Sequence, residues 1–278
     1  MSSKGPFYFS LHFEEGVFGR AWLNDLPLHK APTRGPESMN SGANHLLVPG
    51  VNRLALEILR LPPARPRPPP PAEGEKPQPE VDMSPVGMKV FRILDASTEP
   101  IQAEMIREVD IPLSLGLSQY ELPEVPFYHA VEFELPYPVP EPVYWRSPPS
   151  DFGCAGTPEL IQAVTEVHEA LATRDLRRFL DLLTLKHEAY AAAFPGEPAA
   201  AIDRQRSSAE RFFTLRYTVK PLDTGKLHFE PRANGRVALV TASDDRPVLE
   251  AVADDVPGLA LRANLLLTRH EGRFRVFG

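Results

Sequence analysis

One cysteine, Cys154, stands among 278 residues. That excludes an internal disulfide and a multi-cysteine zinc site, and a lone thiol suits a reducing compartment. Basic clusters are equally scarce. Lys and Arg are scattered, the densest group is Arg65-Pro66-Arg67, and the formal net charge is −7. Nucleic-acid binding needs a basic face to neutralise phosphate, so no nucleic-acid partner is expected. No apolar run approaches the roughly 18 residues of a membrane span, and Met1-Ser-Ser-Lys-Gly-Pro6 has no apolar signal core. These features predict a cytoplasmic protein without a membrane partner. Gly-x-Ser-x-Gly, His-Glu-x-x-His and phosphate-cradling glycine motifs are missing, and the eight histidines are dispersed. No metal and no cofactor are expected.

Proline is abundant instead. Of 32 prolines, 20 fall between positions 61 and 150. A chain of this length suffices for two domains with separate cores, and the proline density marks where they divide. The expected organisation is a β-sandwich over 1–135 carrying a Pro-rich insert at 61–85, a Pro-rich linker at 136–156, and an α+β domain over 157–278. The Ala and Arg richness resembles the composition of proteins from high-GC bacteria.

In the first part, Phe7–Phe13, Val17–Leu23, Val51–Leu59, Met88–Leu94, Ile101–Leu113 and Phe127–Leu135 read as strands. Leu54, Leu56 and Ile58 alternate, as do Met88 and Val90 against Phe91 and Ile93. Short strands separated by Pro and Gly argue for an antiparallel sandwich. Pro27–Asn44 is polar and Gly/Pro-punctuated, which predicts a long loop. The insert at 61–85 lacks core-forming residues and predicts an extended, solvated segment.

The second part begins sharply. Thr157 suits an N-cap, Pro158 the first helical position and Glu159 the positive helix end. Leu160, Val164, Val167 and Leu171 then recur at helical spacing. Asp175 can cap a second helix with Leu176, Phe179, Leu180, Leu183, His187, Tyr190 and Phe194 on one face, stopped by Pro195-Gly196. A third helix is predicted over about 199–212, then strands near 214–220, 226–231, 236–242, 247–252, 259–268 and 273–277.

Glu166-Val-His-Glu-Ala-Leu-Ala-Thr-Arg-Asp-Leu-Arg-Arg-Phe-Leu-Asp-Leu-Leu183 and Asn264-Leu-Leu-Leu-Thr-Arg-His-Glu-Gly-Arg-Phe-Arg-Val276 carry a resemblance. They resemble the opening helices and the closing hairpin of the nuclear-transport-factor-2-like (ketosteroid-isomerase-like, SnoaL-like) superfamily. The resemblance implies an α+β cone with helices packed on a curved antiparallel sheet. That superfamily includes isomerases, cyclases and dehydratases as well as non-catalytic binding modules. Gly19-Arg-Ala-Trp-Leu-Asn24 and Leu46-Leu-Val-Pro-Gly-Val-Asn-Arg-Leu-Ala-Leu56 are similar to a strand-loop-strand unit of galactose-binding-like jelly rolls. They imply a β-sandwich.

Acid–base catalysis needs a carboxylate or imidazole in an apolar pocket with a proton donor opposite. His168, His187 and Tyr190, with Asp175 or Asp181 nearby, are the candidates. The alternative is that each is a hydrogen-bonded structural residue. Asp244-Asp245, Asp254-Asp255 and Glu14-Glu15 could offer oxygens to a cation, although acidic pairs are common in turns. Cys154 precedes a helix, where a thiol can acidify, but no paired histidine is assignable. Phe127, Tyr128, Tyr137, Tyr144 and Trp145 cluster near the Pro-rich connection as candidate binding aromatics or as a seal between domains. Trp22 is a candidate stacking platform for carbohydrate or else a core residue.

No motif transfers a catalytic role. The expected function is a non-catalytic, protein-binding accessory protein, such as an immunity or adaptor protein of a bacterial toxin or secretion system. Its alternatives are a small-molecule isomerase, dehydratase or hydrolase using a C-terminal pocket, and a carbohydrate-binding module in the sandwich.

Overall fold

The computed structural model describes residues 6–30, 36–64, 85–95, 102–118, 121–193, 198–242 and 247–278. Most of the expected Pro-rich insert, Asp244-Asp245 and Pro195-Gly196 lie outside them. Among the described residues the protein is β-rich α+β, built of antiparallel sheets with four helices, and none of its helices is long and apolar enough to cross a membrane. Its contacts divide it into two units at Val139/Pro140.

The first unit contains β1 (Phe7–Phe13), β2 (Phe18–Leu23), β3 (Leu26–Lys30), β4 (Glu37–Gly42), β5 (Val51–Arg60), β6 (Val86–Asp95), β7 (Gln102–Ile111) and β8 (Phe127–Glu134). They form two four-stranded sheets, ordered β4-β1-β6-β7 and β3-β2-β5-β8. Period-two alternation selects the buried faces. Phe7, Phe9, Leu11 and Phe13 of β1 are buried, as are Val86, Met88 and Val90 of β6 and Leu54, Leu56 and Ile58 of β5. At the β2 bulge, a Cβ on Gly19 would meet the Glu57 carbonyl at 2.6 Å, so only glycine fits against that neighbouring strand.

β3 and β4 were not expected: both fall in the polar stretch read as loop. β4 (Glu-Ser-Met-Asn-Ser-Gly) has little strand propensity, yet all six residues pair with β1. Backbone pairing to a well-buried neighbour overrides local preference here.

Two asparagines tie the turns of this unit together. Asn24, in a left-handed conformation (φ 53°), donates from Nδ2 to Leu46 O and to Asn52 Oδ1, at 2.8 and 2.7 Å. Its Oδ1 accepts from Arg53 N–H at 2.9 Å. Asn52 has no exposed surface. Its Oδ1 also accepts from Val48 N–H at 2.9 Å, and its Nδ2 donates to Val48 O and Gly50 O, each at 3.0 Å. The Pro-Gly-x-Asn pattern at 49–52 therefore marks a fully satisfied buried amide.

The second unit contains α1 (Pro158–Ala172), α2 (Leu176–Leu182), α3 (Thr184–Ala193), α4 (Pro198–Phe213), β9 (Tyr217–Val219), β10 (Leu227–Arg232), β11 (Val237–Ala242), β12 (Leu249–Ala253), β13 (Ala260–Ala263), β14 (Leu265–His270) and β15 (Arg273–Val276). Its sheets are ordered β10-β11-β14-β15 and β13-β12-β9. Thr157 Oγ1 caps α1 by accepting from Leu160 N–H at 3.4 Å. Leu160, Val164, Val167 and Leu171 point into a core that includes Phe179, Phe229, Val240, Leu267 and Phe274.

Two expected elements are divided. The helix read over 176–194 breaks at Leu183 into α2 and α3. The strand read over 259–268 becomes β13 and β14, because β13 pairs with β12 while β14 pairs with β11. At the switch, Asn264 Oδ1 accepts from Val248 N–H at 3.3 Å.

Residues 140–156 belong to this second unit. A 3₁₀ turn at Val143–Arg146 buries Tyr144 completely, with its ring 5.0 Å from that of Phe277. Ser147 Oγ donates to Arg269 O at 2.7 Å and lies 2.8 Å from Thr268 Oγ1. Phe152 meets Phe274 edge-on, centroids 6.3 Å apart. Gly156 has φ +72°, and a Cβ there would lie 2.5 Å from the Phe229 ring, so glycine sets the close approach of this strap to the core. Proline density forbids long regular structure in the strap without preventing it from packing.

Candidate functional site

The acid–base candidates are dispersed by the fold. Asp175 caps α2, its Oδ1 accepting from Arg178 N–H at 2.9 Å. Asp181 is exposed on α2. His168, on α1, is half-buried with Nε2 2.8 Å from Lys220 O. A carbonyl only accepts, so Nε2 carries the proton and is committed to that bond.

Beside that bond is Glu250 of β12, which sequence reasoning did not single out. Its side chain is 8% exposed, with Oε2 2.6 Å from Lys220 Nζ and Oε1 3.0 Å from Arg262 Nε. Lys220, Glu250, Asp223, Lys226, Leu222 and Val248 line part of an open cleft enclosing about 490 Å³, including space open to solvent. The Glu250 pKa is lowered, first by the hydrogen bond from Lys220, with desolvation opposing and Arg262 adding to the drop. The stems of two long cations cover this carboxylate, which explains how a group so well sealed still prefers its charge. A carboxylate held in its ionised form by two partners is a poor proton acceptor, so Glu250 itself is a poor general base.

This arrangement fixes a pH dependence. A lowered folded-state pKa means that Glu250 adds stability above its ordinary value of 4.5 and loses that contribution as pH falls through the lowered value. Glu250→Gln is therefore expected to melt below the wild type at neutral pH. The gap should close under acid conditions well below the carboxylate range. Thermal melts at the two conditions check this, and a gap that widens in acid would refute it.

No family model matches the chain, and neither a curated protein nor a solved structure does. Functional argument therefore rests on the chain's own side chains.

His187 and Tyr190 both lie on α3. His187 is 4% exposed, and its Nδ1 is buried without a hydrogen-bond partner. Burial lowers its pKa first, and the charges of Lys186 and Arg206 lower it further. Both named neighbours are basic, and among the described residues no carboxylate bonds His187 to raise its imidazole toward a neutral-pH base. Lys186, like Glu250, was not singled out by sequence reasoning. Its pKa is lowered by burial. The signal that could have found it is its i,i+4 spacing to Tyr190 between the buried pairs Leu185/Ala189 and His187/Ala191.

The binding aromatics also separate. Trp22 is 6% exposed, so its ring offers no open stacking face. Tyr144 is buried in the second unit, and Trp145 is half-buried there with the Arg236 guanidinium 4.9 Å from its ring centroid. Tyr137, half-buried in the first unit, covers the guanidinium of Arg92 at 4.3 Å. Arg92 is itself buried and paired to Glu104 at 3.0 Å. Tyr128 stands exposed at 55%, with Phe127 half-buried beside it.

Cys154 is exposed. Asp254 Oδ1 accepts from Thr218 Oγ1 at 2.9 Å. Among the described residues, no group of three metal-ligating side chains converges.

Proposed function

We propose that this protein is a non-catalytic protein-binding accessory protein whose partner docks on the outward face of β5 and β8. One observation carries the reading: Tyr128 and Val51, 55% and 53% exposed, stand on that face beside Arg53, whose guanidinium is 5.6 Å from the Tyr128 ring. Val51 is in register with Glu134, Arg53 with Glu132, and Tyr128 with Glu57. Tyrosine and arginine dominate interface hot spots, because they give large contact area with a polar handle. Three carboxylates around the patch favour a partner with a basic, partly apolar surface. β8 is also the outer strand of its sheet among the described residues, so the patch lies at the sheet's edge.

We read the first unit as a β-sandwich closed on the apolar faces of its two sheets. The second we read as a nuclear-transport-factor-2-like cone, on the support of its element order and its β14–β15 hairpin around Glu271-Gly272. In cellular terms the proposal is an adaptor or immunity protein acting in the cytoplasm.

The test is a pull-down from the native host with the wild-type chain and with Tyr128→Ala. The wild type is expected to recover one stoichiometric basic partner in a salt-sensitive manner. Tyr128→Ala is expected to weaken that complex by about 2 kcal/mol, roughly thirtyfold in affinity. Recovery of no stoichiometric partner, or equal affinity for both forms, would sink the reading.

A further inference from the structure

We propose that the partner of the β5–β8 face binds as an added strand, an extended basic segment of its chain pairing backbone to backbone with β8. This rests on the docking face argued above and goes beyond it in naming the shape and residue pattern of what docks. Natural sheets blunt an edge with a bulge, a proline, a lysine or a covering segment, because a row of unmatched N–H and C=O groups invites another chain. The other edges of this protein show such devices. β7 shifts register against β6 at Val90/Phe91 and again at Ile93/Asp95. β3 has five residues, carries Pro27 and Lys30, and shifts register against β2. β4 contains Glu, Asn and Gly, which strands disfavour. In the second unit β10 holds Pro231, and its Phe229 N–H donates to Cys154 O of the strap at 2.9 Å. β9, β13 and β15 have only three or four residues each.

β8 carries none of them. Its eight residues, Phe-Tyr-His-Ala-Val-Glu-Phe-Glu, include no proline, glycine or lysine and keep one register against β5 from Phe127 to Glu134. Among the described residues it pairs with β5 alone. In an antiparallel pair each residue sends its N–H and C=O to the same side, so every second residue of β8 turns both away from β5. The side chains show what should lie opposite. Phe127, His129 and Val131 are half-buried, whereas their β5 partners Ile58, Leu56 and Leu54 have no exposed surface. The apolar face thins toward this edge, and apolar side chains of an added strand would complete it. On the other face Tyr128, Glu132 and Glu134 are exposed. Opposite charges facing each other across strands stabilise a sheet and like charges destabilise it. Lys or Arg opposite Glu132 and Glu134 therefore sets the pattern of the added strand, apolar inward and basic outward. A second copy of this chain, itself at −7, would bring its own Glu132 and Glu134 to that face, so charge favours a basic segment of a different protein.

The experiment adds to the full chain a capped peptide of about ten residues alternating Val and Lys, with a Val/Glu peptide of equal length as control. Amide hydrogen exchange in β8 is followed residue by residue by NMR. The Lys peptide is expected to slow exchange about tenfold or more at every second residue between Phe127 and Glu134, and to bind about tenfold or more tighter than the Glu peptide. Binding that depends on Tyr128 but protects no alternate β8 amides would keep the docking face and overturn strand addition. Binding indifferent both to Tyr128→Ala and to the β8 edge would overturn both. No binding at millimolar Lys peptide sinks strand addition, while the pull-down still decides the docking face. Protection of the same amides in the chain alone, growing with its concentration, would make a second copy the occupant and overturn the proposal as well.

Discussion

Asn52→Leu is expected to destabilise the first unit by about 3–5 kcal/mol, the largest single-residue effect in that half of the chain. The substitution preserves size and removes all four hydrogen bonds of a side chain without exposed surface. Val48 loses its partner at both N–H and C=O, Gly50 loses one at C=O, and Asn24 loses one of its two acceptors. Each buried group left unmatched costs about 1–3 kcal/mol, with partial relaxation keeping the total below the sum. Asn52→Asp should be nearly as damaging at neutral pH, because it turns the two donor contacts with Val48 O and Gly50 O into oxygen–oxygen repulsion. The chain's two tryptophans make the measurement selective: Trp22 lies in the first unit and Trp145 in the second. In a Trp145→Phe background, urea unfolding followed by Trp22 fluorescence reports the first unit. A shift under about 1 kcal/mol would mean that the amide network is dispensable.

Tyr144→Ala should be comparably severe in the second unit, at about 3–5 kcal/mol. Its ring is fully buried against Phe277, in edge contact with Trp145 at 6.3 Å. Emptying that volume leaves a cavity under the 140–156 strap and loosens the adjoining Ser147 contacts with Thr268 and Arg269. With Trp22→Phe as background, Trp145 emission is expected to move to the red as its surroundings open to water, and its unfolding midpoint to fall. Wild-type emission together with a wild-type midpoint would show that the strap is held by its backbone contacts alone. The proline-rich stretch would then be a passive covering.

The contrast between these residues shows how the sequence carried its information. Asn52 was visible because Pro-Gly-x-Asn before an alternating strand is a local pattern, and hydrogen bonds between positions 48 and 52 are local. Tyr144 was visible as an aromatic among prolines, but its use was not. An aromatic reads the same in sequence whether it faces a partner or Phe277, 133 positions away by number. Glu250 was illegible for a similar reason. Arg262 comes from β13 on one side of it and Lys220 from just past the end of β9 on the other, and only sheet pairing places them over one carboxylate.

Local rules therefore settled the strands with alternating apolar residues, the capped start of α1, the Asp175 cap and the Asn52 turn. In each case the deciding forces act within a few residues. Tertiary structure alone decided the rest. It made β4 a strand by pairing it to β1, passed the chain between two sheets at Asn264, and folded the 140–156 strap onto the second unit. It committed His168 to a backbone carbonyl. Pairing, burial and charge balance depend on which distant segments meet, and a linear pattern of residue types does not carry that information.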